Sequence, residues 1–82
     1  MRLQYTERFR RAYNGLSDQD AQGVDKAIRL LVENPRHPGP RVKKIQSTGG
    51  IWEARPGRAL RLTFEMREGV IILRNVGLHT EA

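Results

Sequence analysis

With 82 residues, no cysteine and a formal net charge of +6, the chain is the length of one small domain, which buries about 60 to 65% of the surface its unfolded form exposes. The lack of cysteine excludes a disulfide framework and a thiolate zinc site, and the two histidines, His37 and His79, are too far apart in the sequence to suggest a metal pair, so no metal or other cofactor is expected. The amino-terminal stretch MRLQYTERFRR is charged throughout and the longest apolar run is only VIIL at 70–73, which excludes a secretory leader and a membrane-spanning helix and predicts a soluble cytoplasmic protein.

The first segment, RLQY, alternates and predicts a short strand. Thr6 then suits the cap of a helix carrying Phe9, Ala12, Tyr13 and Leu16, with Gly15 loosening its end. Ser17 with Asp20 three residues on reads as a capping-box variant that opens a second helix. Its apolar stripe is Ala21, Val24, Ala27, Ile28 and Leu31. Asp18 and Asp20 fall in its first turn, where the helix dipole favours negative charge, and the Asn34-Pro35 pair ends it. Two amphipathic helices with a tight connection make an αα-hairpin, and its apolar faces need a cover.

The stretch from 36 to 50 is rich in turn formers and has no sustained period. It reads as a long basic loop, with a short strand or turn at RVKKI. Three alternating segments follow, IWEAR, LRLTFEM and VIILRNV, separated by PGR and REG turns, and together they predict an antiparallel meander. Alternation sends Trp52, Leu60, Leu62 and Phe64 toward the helices and Glu53, Arg55, Arg61, Thr63 and Glu65 outward. An unpaired buried arginine is costly, so Ile71 and Leu73 are expected inside and Arg74 outside. The expected fold is a single α+β domain over residues 1–82: a short amino-terminal strand and a two-helix hairpin packed on an antiparallel β-sheet meander.

The positive charge is unevenly held. Residues 1–34 carry six Lys/Arg against five Asp/Glu, whereas residues 35–82 carry nine against four. The basic surface therefore belongs to the second half, and an excess of this kind suits a polyanion, nucleic acid above all, or an acidic protein. Several residues have a plainer reading beside a functional one. Trp52 shares parity with the strand leucines and is expected in the core rather than stacked on a base. His37 sits in a turn-forming RHPG sequence. Lys43 and Lys44 are either solvated loop charges or part of an RNA-holding field. On the residues alone, Arg61 is equally a cross-strand partner of Glu53 or Glu65 and a binding or catalytic group.

The order of elements, with NPRHPG and VKKI after the second helix, GIWEAR opening the sheet, LRLTFEM as the next strand and VGLH near the carboxyl terminus, resembles the RelE/ParE superfamily of toxins from toxin–antitoxin systems. The resemblance covers nearly the whole chain. It implies a ribosome-dependent messenger RNA endonuclease in which the 2′-hydroxyl attacks the adjacent phosphate without a metal, together with a cognate antitoxin protein as partner. Arg61 matches the central-strand arginine that would meet the scissile phosphate. His79 matches a position used in catalysis and would give a proton to the leaving oxygen, and Glu53 is a possible base. Lys43, Lys44, Arg55 and Arg74 would hold the RNA backbone.

Relatives with an R-V-G-x-H sequence carry arginine directly before VG. Here that place is Asn75, and Arg74 one residue earlier would need a β-bulge to restore its direction. Many relatives also continue to a terminal aromatic that stacks on a base. The sequence ends at Ala82 without one, which predicts a loss of about 1 to 3 kcal/mol in base binding. The competing expectations are a ParE-like inhibitor of DNA gyrase and a catalytically degenerate homologue that only binds its partner.

Overall fold

The computed structural model describes residues 2–34, 42–45, 49–57 and 59–78. Thr6 starts the first helix as expected: its backbone is extended and its hydroxyl accepts from the Phe9 N–H at 3.0 Å. Helix α1 (Glu7–Asn14) ends at Gly15, whose N–H reaches back to the Ala12 and Tyr13 carbonyls. Ser17 then caps α2 (Asp18–Glu33) by accepting from the Asp20 N–H at 3.2 Å. The α2 stripe is realised with Val24, Ile28 and Leu31 buried, and the helix closes with the Asn34 N–H on the Leu30 carbonyl. Tyr13 donates to Asp25 Oδ1 at 2.7 Å, which fastens one helix to the other.

The strands are β1 (Arg2–Tyr5), β2 (Val42–Lys44), β3 (Ile51–Ala54), β4 (Leu60–Arg67) and β5 (Val70–Leu78). They form one sheet in the order β1-β5-β4-β3-β2. The predicted meander is present, because β3, β4 and β5 pair antiparallel in succession and β2 extends the same pattern. The first strand departs from it. β1 lies parallel to β5, Leu3 opposite Ile71 and Tyr5 opposite Leu73, so the sheet is mixed. The chain leaves β1 with the Thr6 N–H on the Leu73 carbonyl, and the Thr6 hydroxyl donates to the Arg74 carbonyl at 2.8 Å. These two bonds fix where α1 begins relative to β5.

One sheet face is covered by the helices. Phe9, Val24, Ile28 and Leu31 from the helices meet Ala54, Leu60, Leu62, Phe64, Ile71, Leu73 and Val76 from the strands. Burying a large apolar side chain of this kind contributes about 1.5 to 3 kcal/mol each. Trp52 is half-buried against this core, its ring stacked on that of Phe64 at 6.4 Å, as the sequence parity predicts.

The last strand changes parity. Leu73 and Val76 both face the core although they stand three positions apart, because Thr63 pairs with Asn75 while Phe64 pairs with Leu73. Arg74 is the extra residue, so a β-bulge lies at the position where the sequence calls for one. Arg74 and Asn75 consequently both lie on the open side. The β4–β5 hairpin turns through Glu68 (φ 22°) and Gly69 (φ 80°), a pair of left-handed residues that suits the twist of a tight hairpin.

Candidate active site

Cross-strand partners share a sheet face, and on the open face one row runs from Lys43 through Glu53 and Thr63 to Asn75. Arg61 stands one step along, opposite Gly77. Lys44 belongs elsewhere, because its partner Trp52 is on the helix side of the sheet. The two lysines read together in the sequence are thus on opposite faces, and only Lys43 shares a face with Arg61.

Glu53 lies on the open face, as parity requires, yet it is only 3% exposed. Two guanidinium groups cover it. Arg61 Nε is 2.8 Å and Arg55 Nε 3.5 Å from Glu53 Oε1. The Arg61 N–H is not aimed at that oxygen, so the contact is an ion pair rather than a directed hydrogen bond. A carboxylate removed from water needs such compensation, and the arginines supply it while staying about half open to solvent themselves. The expected alternatives for Arg61 thereby narrow: it pairs with Glu53, and Glu65 is taken by other residues.

Glu65 accepts hydrogen bonds from Arg74 Nη1 and, at 2.9 Å, from Arg67 Nε. The Arg74 hydrogen bond, seconded by Arg67, holds the Glu65 carboxyl below the usual carboxylate range against the opposing effect of its partial burial. The open face thus carries Arg55, Arg61, Arg67 and Arg74 over two shared glutamates and retains an excess of positive charge.

A shallow cavity of about 360 Å³ opens beside Arg61, lined by Arg8, Arg61, Thr63, Asn75, Gly77 and Leu78. The Thr63 hydroxyl donates to the Asn75 carbonyl at 3.4 Å, which leaves the Asn75 side chain free of that bond. Gly77 opposite Arg61 keeps a side chain out of the cavity wall. One lining residue, Arg8, has no part in the sequence reading, and another, Asn75, entered it only as the residue standing where relatives carry arginine. For Asn75 the signal was available, since the Leu73-to-Val76 spacing implies the bulge that turns it outward. For Arg8 there was none, because helix periodicity does not show which end of a helix reaches a sheet edge. His79 follows Leu78 in the chain and lies outside the described residues, as do His37 and Arg58.

Among the described residues, no group of three or more His, Cys, Asp or Glu side chains is placed to share a metal ion, and no helix is long and apolar enough to cross a membrane.

No protein-family model matches the sequence, and no curated protein matches it either. Solved structures do match the fold. YafQ from E. coli strain BL21(DE3) superimposes with a TM-score of 0.78 at 16% identity, covering 98% of this chain and 96% of that one. A chain of the intact E. coli RelBE toxin–antitoxin complex gives 0.79 at 18% identity, with 94% of each chain covered. A chain of the archaeal RelE–RelB complex from Pyrococcus horikoshii OT3 gives 0.74 at 20% identity, covering 99% of this chain and 97% of that one. At these identities the likeness speaks for architecture: two helices on a five-stranded mixed sheet, in the arrangement of the RelE and YafQ toxins, is the fold of this chain.

Proposed function

We propose that the chain is the toxin of a type II toxin–antitoxin system and that it cleaves messenger RNA on the ribosome. The observation that carries this reading is Arg61, which stands on the second strand of the meander at the mouth of a polar cavity and is held there by a buried carboxylate. The full-length likeness to RelE and YafQ toxins supports the same reading. None of these neighbours supports the gyrase-directed alternative.

In the proposed reaction the ribose 2′-oxygen passes its proton to solvent water in the open cavity and attacks the adjacent phosphorus, and the bond to the 5′-oxygen breaks. The products are a cyclic phosphate and a 5′-hydroxyl. Negative charge builds on the phosphate oxygens in the transition state, and a fixed guanidinium meets it with two parallel N–H groups. That is the role of Arg61. His79 donates the proton that the leaving 5′-oxygen takes up. Glu53 acts through Arg61: lying beneath two arginines, it sets their position, and a role as base would require both to swing away. Lys43, Arg55 and Arg74 hold the RNA backbone from the same face, and Lys44, expected among them from the sequence, stands on the opposite one and has no part in it. The partner that restrains the toxin is a cognate antitoxin protein, a reading supported by the E. coli RelBE neighbour, a toxin–antitoxin complex, and by the RelE–RelB complex from P. horikoshii.

Primer extension on a reporter messenger RNA in a reconstituted translating system tests the proposal. Wild type should cut at the decoding site. Arg61→Ala should lower the rate by about 100- to 1,000-fold, the usual loss on removing one transition-state donor, and His79→Ala should do so comparably. Intact messenger RNA in the presence of folded wild type would sink the nuclease reading.

A further inference from the structure

Arg8 sits in the first turn of α1, where a cation opposes the helix dipole. Its neighbour Glu7 is engaged by Arg11 at 3.3 Å. Among the described residues Arg8 has no ion-pair or hydrogen-bond partner for its side chain, and it is exposed. An arginine placed against the local field with no counter-charge is not explained by stability. Its place in the fold offers another explanation. β1 covers the edge of β5 only as far as Leu73, and α1 starts immediately beyond, pinned by the Thr6 bonds to Leu73 and Arg74. Arg8 thereby reaches past the uncovered end of β5 into the cavity that Arg61, Thr63, Asn75 and Gly77 line on the open face.

Two guanidinium groups on one small cavity repel each other unless an anion lies between them. Glu53 does not fill that role, because it is already shared by Arg61 and Arg55 below. The remaining lining groups suit a phosphodiester: the Asn75 side chain can donate, and Gly77 leaves room for close approach. We infer that Arg8 is a second phosphate-binding arginine, which with Arg61 brackets one phosphodiester of single-stranded RNA in this cavity. The inference rests on the RNA-directed reading above and adds to it a binding residue supplied by α1 rather than by the sheet.

The test is fluorescence anisotropy with a labelled, uncleavable 2′-O-methyl RNA hexamer, run across a range of salt concentrations. It compares wild type with Arg8→Ala, Arg8→Lys, Arg61→Ala and Arg10→Ala. Arg10 lies on the same helix but lines a different groove, beside Tyr5, Tyr13 and Asp25, so its loss removes equal charge without touching the cavity. Arg8→Ala is expected to bind about tenfold more weakly, the scale of a charge-assisted hydrogen bond, and to flatten the dependence of log affinity on log salt by about 0.7, one single-strand phosphate contact. Arg8→Lys should recover the salt slope and only part of the affinity, while Arg10→Ala stays near wild type. Equal losses in Arg8→Ala and Arg10→Ala, or wild-type binding no tighter than Arg8→Ala, would overturn the inference. Hexamer binding that depends on Arg8 and Arg61 without ribosomal cleavage would instead overturn the nuclease reading and leave the phosphate site standing.

Discussion

Without Glu53, the guanidinium groups of Arg55 and Arg61 would lose their shared counter-charge and Arg61 would be free to leave the cavity. Glu53→Gln keeps the shape and removes the charge. It should slow RNA cleavage by about tenfold and lower stability by about 1 kcal/mol, the scale of an ion pair whose arginines remain in water. A urea midpoint and a cleavage rate on the same preparation check both figures, and cleavage unchanged from wild type would refute the positioning role. Tyr13 offers a test that does not involve the site. Its hydrogen bond to Asp25, aided by desolvation and by the carboxylate's charge, raises the phenol above its ordinary value. A raised folded-state value gives stability that is complete below the unfolded phenol's value near 10 and lost as pH rises through the folded one. Tyr13→Phe should therefore cost about 0.5 kcal/mol at neutral pH, and its melting temperature should converge on that of wild type in strong alkali.

Among the elements, β5 and its bulge do most to build the site. The Thr6 hydroxyl ties α1 to the bulge, as cap to the helix and as donor to the Arg74 carbonyl. Thr6→Val should cost about 1 to 2 kcal/mol, more than an isolated cap in its lower range, and thermal melts compared with Ser17→Ala, which loses only a cap, would show the difference. Glu65 ties β4 to the bulge through Arg74. Its lowered carboxyl contributes stability that is present above the ordinary carboxylate range and disappears as pH falls through the folded value. Acid unfolding of Glu65→Gln should accordingly show a shallower loss than wild type in that window. Much of this was legible in advance. The caps at Thr6 and Ser17, the α2 stripe and the β3–β5 alternation are local patterns, written in residue types at fixed spacing. The parallel placement of β1 was not, because RLQY states that a strand exists without stating which edge it joins. The separation of Lys43 from Lys44 was legible, since adjacent strand residues face opposite ways, but it required knowing that VKK pairs with IWEA rather than forming a turn.

At the scale of the whole molecule, the sheet divides the chain into a helix-covered side and an arginine-bearing side. That division gives a comparison at constant charge. Lys43→Ala, on the open face, should weaken RNA cleavage or binding by a few-fold, whereas Lys44→Ala, one residue away and equally basic, should leave it near wild type; about one phosphate contact separates the two predictions. Equal effects would mean that net charge rather than the face governs RNA association. The likeness to RelE and YafQ was legible in the sequence only as an order of motifs. At 14 to 20% identity it is the path of the chain, not its residues, that is held in common with the solved neighbours.

The parallel pairing of β1 with β5 joins residues 2–5 to residues 70–73. During synthesis, β1 is made well before its partner. Helix caps and the α2 stripe can form as soon as their own residues are made, but the sheet edge that positions α1, and with it Arg8, cannot close until β5 has been made. Contacts so distant in sequence are reached late in folding. The helices can therefore form before the arginine cavity does, and between those two events the chain presents its helical hairpin without the site.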